Sequence, residues 1–139
     1  MTYELQPGLT HRLTLTVEEA LTVPAVFPAA ESFATMPPVF ATAFLVGLIE
    51  RACIEALTPL LSDGERTVGT HVDISHCAAT PVGMEVTAEV TLEAVSGRHL
   101  AFRVTAWDAA GTIGAGRHER HRIDLPRFLD TVDRKRAAL

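Results

Sequence analysis

Cysteine is scarce in this chain: Cys53 and Cys77 are the only two, and they lack the CxxC spacing of a redox or metal motif. Basic residues are also outnumbered, 12 Lys and Arg against 17 Asp and Glu, which gives a formal charge of −5. Nucleic acid, whose phosphates call for a basic stripe, is therefore not an expected partner. Long apolar runs are missing as well. The longest, Val39 to Ile49, is interrupted by Thr42 and ends at Glu50, well short of the roughly 20 residues that span a bilayer. No membrane anchor is expected. The opening MTYELQPGLTHR shows none of the charged, apolar and small-residue order of a signal peptide. Together these absences make the reducing cytoplasm the expected location.

Nucleophile-elbow and nucleotide-binding motifs are missing too. The chain has no GxSxG elbow, no Walker phosphate loop and no GxGxxG, and Gly114-Ala115-Gly116 lies in a strand-like run with no helix after it. What is present is the balance of a globular protein, 47% hydrophobic and 21% charged over 139 residues, a length suited to one domain over 1–139 with one site.

Alternation marks His11 to Val17 as a first strand, with Leu13, Leu15 and Val17 on one parity. Residues 21–38 carry Pro24, Pro28, Pro37 and Pro38 between Val23, Val26, Phe27, Phe33 and Met36, a pattern that defeats a long helix and a ladder strand alike and reads as an apolar lid. Helix formers then run from Phe40 to Leu57 with Pro59 closing the segment. This helix is apolar nearly all round, and no second long helix exists to cover it, so a sheet must wrap it. Four further alternating runs supply that sheet: Thr67 to Ala79, Met84 to Val95, Arg98 to Asp108 and Thr112 to Ile123. Short turn-like links at Pro81-Val82-Gly83, Ser96-Gly97 and Ala109-Ala110-Gly111 favour antiparallel hairpins. The expectation is an α+β hotdog fold, one long central helix wrapped by a five-stranded antiparallel sheet, with a short basic-ended helix after Pro126.

Glu50 stands in VFATAFLVGLIERAC, the most apolar stretch, where an ionised carboxylate is costly without partners and burial would raise its pKa toward that of a general base. Pairing with Arg51 at the helix margin is the alternative. Gly47 lies one turn earlier, either opening a path to that carboxylate or packing the helix close to the sheet. His76 shares the parity of Val68, Val72 and Ile74, so it should face the helix. A core histidine bonded to a carbonyl is the competing reading. Thr42 opens the helix, where a hydroxyl commonly caps backbone donors; it lies eight residues, a rise of roughly 12 Å, from Glu50. Metal ligation is not expected, because His118 and His121, like His71 and His76, differ in parity. Cys77 has the opposite parity from His76, and Cys53 sits among apolar helix neighbours, so neither reads as a nucleophile.

Four segments, VFATAFLVGLIERAC, VGTHVDISHCAATPVGM, SGRHLAFRV and IGAGRHER, resemble the fluoroacetyl-CoA thioesterase type of hotdog proteins, in family order from Val39 to Arg120. The resemblance implies a catalytic set of Thr42, Glu50 and His76, with Gly69 near the reacting thioester and Arg120 close by. Met36 stands where the fluoroacetyl-specific enzyme has a gating phenylalanine. Hydrolysis of a short acyl-CoA follows as the expected activity, with acyl-CoA binding without turnover and hotdog dehydratase or hydratase chemistry as the alternatives; Glu50 would activate water or attack directly, His76 orient it, and Thr42 position the acyl group. No cofactor is needed, since CoA belongs to the substrate. The bulky lid residues Val23, Val26, Phe27, Phe33 and Met36 predict a small closed acyl pocket, and exposed sheet edges predict a homodimer.

Overall fold

The computed structural model describes residues 5–139. In chain order the elements are β1 (Thr10–Thr16), the single-turn helices α1 (Val23–Val26) and α2 (Glu31–Ala34), the long α3 (Thr42–Leu57), β2 (Glu65–Ile74), β3 (Glu85–Ser96), β4 (His99–Asp108), β5 (Gly111–Asp124) and α4 (Leu125–Ala137). All strand pairings are antiparallel, and the sheet order is β1-β3-β4-β5-β2. This is the α+β arrangement expected, with one long helix on the concave face of five strands.

Packing follows the alternation. Val86, Ala88, Val90 and Leu92 of β3 and Leu100, Phe102, Val104 and Ala106 of β4 are buried, and Leu45, Leu48, Ile49, Ala52, Cys53 and Leu57 of α3 settle on them. Each buried Val, Leu, Ile or Phe among them contributes roughly 1.5–3 kcal/mol. The helix lies mainly over β1 and β3. Toward β5 and β2 the inner face turns polar.

Three expectations need correction. The helix begins at Thr42, because Phe40 forms a bridge with Thr22 and Val39 with Pro81, tying the lid to the segment before β3. The link at Pro81-Val82-Gly83 is not a hairpin: β2 pairs with β5, and β3 pairs with β1 and β4, so this segment crosses from one edge of the sheet toward the other. The run from Thr67 does not stay in one parity. A bulge between Gly69 and His71 puts an extra residue into β2, so Gly69 pairs with Arg120 but Val72 pairs with His118. Val68, opposite His121, is thereby turned to the outer face, while Val72 and Ile74 share the inner face with His118.

Candidate active site

Past the end of β2 the chain stays against β5, with Ser75 N–H donating to the Ala115 carbonyl at 2.9 Å and Cys77 N–H to the Ile113 carbonyl at 2.7 Å. Glycine makes this possible. A Cβ on Gly114 would lie 2.2 Å from the Ser75 oxygen, and one on Gly116, at φ +155°, 2.0 Å from the Asp73 oxygen. The Gly114-Ala115-Gly116 run is thus the seat for the segment that carries His76.

From that seat the imidazole Nδ1 of His76 reaches the Thr42 hydroxyl at 2.7 Å. Thr42 caps nothing; the residue at the cap position is Ala41, which has no side chain to satisfy the first N–H groups of α3. Phe40 packs edge-on to the His76 ring at 6.3 Å between centroids. Burial lowers the pKa of His76, so the ring is neutral at neutral pH. Its Nε2 is buried and has no hydrogen-bond partner among the described residues. A neutral imidazole against a hydroxyl can accept that hydroxyl's proton. The pair opens on a cavity of about 240 Å³ lined by Val23, Val39, Phe40, Thr42, His76, Cys77, Ala78 and Ala79.

Of the five apolar lid residues, Val23 is the one in this lining. Phe27 and Phe33 stack on each other with centroids 5.1 Å apart, and Val26 is half-buried. Met36 is exposed. The lid is built from two four-residue helical turns, α1 and α2, with Pro28 between them.

Glu50 occupies a different place. Its carboxylate is 39% exposed and accepts a 2.9 Å hydrogen bond on Oε2 from Nη1 of Arg120, a side chain only 2% exposed. The apolar run around Glu50 suggested burial; the helix face bearing Ala43, Gly47, Glu50, Arg51 and Ile54 instead lies open beside β2. Arg51, the alternative partner, pairs with Glu55 at 2.8 Å. Nor does His76 touch Glu50, the two being grouped at separate points of α3.

Arg120 is held on every side. Nε donates to the Thr67 hydroxyl at 2.9 Å, Nη2 to the Thr67 carbonyl at 2.8 Å, and Nη1 also approaches His118 Nε2 at 3.1 Å. Gly69 provides the notch: an added Cβ would stand 2.8 Å from Glu50 Oε2 and 3.2 Å from His118 Cε1. Gly47 has open space, since a Cβ there meets nothing within 4 Å, so close packing of the helix on the sheet does not explain it. A second cavity, about 500 Å³, opens along the same side between Ile54, Thr58 and Thr67.

Sequence reasoning weighed His118 only as a metal ligand and overlooked Thr67. The signal for both was register: His118 and Arg120 share a parity in β5, and Thr67 with Gly69 shares it across the pairing, before the bulge. Cys53, buried beside this cluster, has its thiol pKa pushed up to about 12 by burial, which keeps it protonated and inert. Among the described residues no group of three His, Cys, Asp or Glu is placed to hold a metal ion. No helix among them is long and apolar enough to cross a membrane.

Residues 23–125 match the family described as Fluoroacetyl-CoA-specific thioesterase. A fluoroacetyl-CoA thioesterase of Streptantibioticus cattleyicolor is 45% identical over 117 residues, 84% of either chain. A solved structure of the fluoroacetyl-CoA thioesterase FlK is 41% identical, with a TM-score of 0.93 over 96% of this chain and 98% of the other. A thioesterase superfamily member of Thermus thermophilus is 26% identical, with a TM-score of 0.86 over 97% and 96%.

Proposed function

The chain belongs to the family of fluoroacetyl-CoA-specific thioesterases, and from that premise we propose that Thr42, His76 and Glu50 hydrolyse a short acyl-CoA in a site shared between two copies of the chain. It is an acyl-CoA thioesterase. The observation that carries the reading of its site is the 2.7 Å contact of Thr42 with His76 at the mouth of the smaller cavity.

A cavity of about 240 Å³ suits an acyl group of a few carbons. The uncapped N–H groups at the start of α3 stand ready to receive the oxyanion, with the helix dipole behind them. Thr42 and His76 fix the carbonyl there. Glu50 accepts the proton of the attacking water on Oε1, because Oε2 is occupied by Arg120. The thiolate of CoA then departs, a leaving group comparable to a free cysteine thiol.

Within one copy Thr42 and Glu50 are separated by roughly 12 Å of helix and do not touch, which favours a site completed by a second copy. A two-fold axis at the open edge of β2 and normal to the sheet would set two α3 helices antiparallel. With the axis level with residue 46, Thr42 of one copy faces Glu50 of the other, and the bare Gly47 beside it allows close approach. The unpaired edge of β2 and the open face of α3 both favour such a homodimer. The chain acts as one domain over 1–139, and we assign it to the cytoplasm, a reducing compartment consistent with its two free cysteines.

Complementation tests the shared site. Glu50→Gln and His76→Ala proteins, each inactive alone, are mixed after unfolding, refolded together, and assayed for thiol release from acetyl-CoA. Heterodimers carry one intact site, so about a quarter of the native activity should return. No return, with mixed dimers shown by mass spectrometry, would place all three residues of each site in one chain.

A further inference from the structure

His118 takes no part in the chemistry above, yet it lies against it. The ring is fully buried in β5, and its Nδ1 is 2.8 Å from the carbonyl oxygen of His71 in β2. A carbonyl only accepts, so Nδ1 carries the proton. In a neutral ring Nε2 is then a lone pair. Nη1 of Arg120, 3.1 Å away, has two N–H groups to place, and Glu50 Oε2 takes one of them at 2.9 Å. The other is directed at His118 Nε2.

We propose that His118 is a positioning residue for hydrolysis: its Nδ1–H tautomer accepts a hydrogen bond from Arg120 and so fixes the guanidinium that presents Glu50 to the reaction. This rests on the reading of Glu50 as the reacting carboxylate. Thr67 grips the far side of the guanidinium through Nε and Nη2, which defines its plane. His118 defines what Nη1 does within that plane. Without an acceptor at Nε2, the second Nη1 hydrogen has no partner in a water-poor site, and the group can rotate to share itself differently with the carboxylate. The absent side chain of Gly69 brings the imidazole edge and the carboxylate together over one residue. Solvation supports the same assignment, because burial foremost, with the Arg120 charge adding to it, disfavours a charged ring here. A protonated His118 would also turn a donor toward a donor.

The test pairs two substitutions with a spectrum of the native protein. His118→Leu fills the space and removes both ring nitrogens. Its kcat for acetyl-CoA should fall about tenfold, with KM altered less than about twofold, as expected from losing one hydrogen bond to a charged group. His118→Gln offers an amide oxygen to Arg120 and should recover most of that turnover. In native protein labelled with ¹⁵N-histidine, the resonance missing from His118→Gln should show the proton on Nδ1 and a bare Nε2 at neutral pH.

Native kcat in a folded His118→Leu, equal losses in the Leu and Gln proteins at matched thermal stability, or a proton on Nε2 would each overturn the proposal. Should His118→Leu fail to fold, the tautomer read from the native protein decides. Full turnover by Glu50→Gln would instead show that the reading of Glu50 had failed. A dead Glu50→Gln beside a fully active His118→Leu would remove the positioning role alone.

Discussion

Two polar clusters hang on one helix, and they are built in opposite ways. At the start of α3, Thr42 and His76 make a single hydrogen bond, the hydroxyl residue is exposed, and the second ring nitrogen has no partner among the described residues. Two turns on, Glu50 touches a guanidinium that is sealed from solvent and bonded on all sides by Thr67, His118 and the carboxylate itself. The first is a pair with unused capacity, poised for something from outside. The second is a network in which four of the five guanidinium N–H groups have partners and Glu50 Oε1 makes no hydrogen bond among the described residues. Loss of a member should therefore affect chemistry alone in the first cluster, and chemistry together with stability in the second.

The largest expected effect is on Glu50. Glu50→Gln keeps an oxygen for Arg120 but removes the base and the counter-charge, so kcat for thiol release should drop by about a thousandfold and the melting temperature should fall as well. Stopped assays with a thiol reagent and a melting curve measure the two. Retained turnover would falsify the carboxylate's role and leave the first cluster to act alone.

Next in size is His76→Ala. Removing the acceptor for the Thr42 hydroxyl should cost about a hundredfold in kcat. Cys77→Ala should stay within about twofold, although Cys77 also lines the cavity, because its Sγ is directed at the Ile113 carbonyl at 3.3 Å. Equal losses in both proteins would mean that the wall of the cavity matters and the imidazole does not.

The fold was legible because apolar alternation and a single long helix leave few ways to bury a core. Leu45, Ile49, Val90 and Phe102 are buried as that pattern requires. The site was legible in part. His76 does face inward, yet the parity that was meant to link it to Val68 is broken by the bulge at residue 70, and the inward turn survives because the break lies upstream of Val72. Arg120 could be placed by resemblance but not by physics, since no local pattern says that a guanidinium will be buried beneath a helix. The partner of Glu50 is 70 residues distant. Contacts at that range come from strand register, and register depends on bulges that single-sequence periodicity does not reveal.

A smaller effect sharpens which cluster receives the acyl group. Val23 lines the cavity at Thr42, and Ile54 lines the one beyond Glu50. Val23→Ala should raise kcat/KM for butyryl-CoA relative to acetyl-CoA by about tenfold, the order of one or two methylenes in a fitted apolar pocket. Ile54→Ala should leave that ratio alone. Met36→Phe, at an exposed position of the lid, should change the ratio of fluoroacetyl- to acetyl-CoA by less than about threefold. Reversal of the first two results would move the acyl group to the Glu50 side of the helix.

The smallest effect distinguishes the clusters by pH. Each holds a neutral histidine whose pKa burial has lowered, His76 in the first and His118 in the second. The unfolded chain binds a proton at each near its ordinary value of about 6.5, while the folded protein resists doing so until lower pH. Stability is therefore complete above pH 7 and declines as pH falls through 6.5 toward the folded values. Glu65 and Asp108 have lowered pKa values, the first mainly through the Ser62 N–H and the second mainly through the Thr80 hydroxyl. Their contributions are present above the ordinary carboxylate range and are lost only at more acid pH, which leaves the window from pH 7 to 5 to the histidines. Over that window the melting temperature should fall with pH. His118→Gln, which does not titrate, should flatten more of this slope than His76→Gln, because His118 is fully enclosed and faces the fixed charge of Arg120 across Nε2. If His76→Gln flattens it more, the exposed pair, not the sealed network, is where this protein resists protonation.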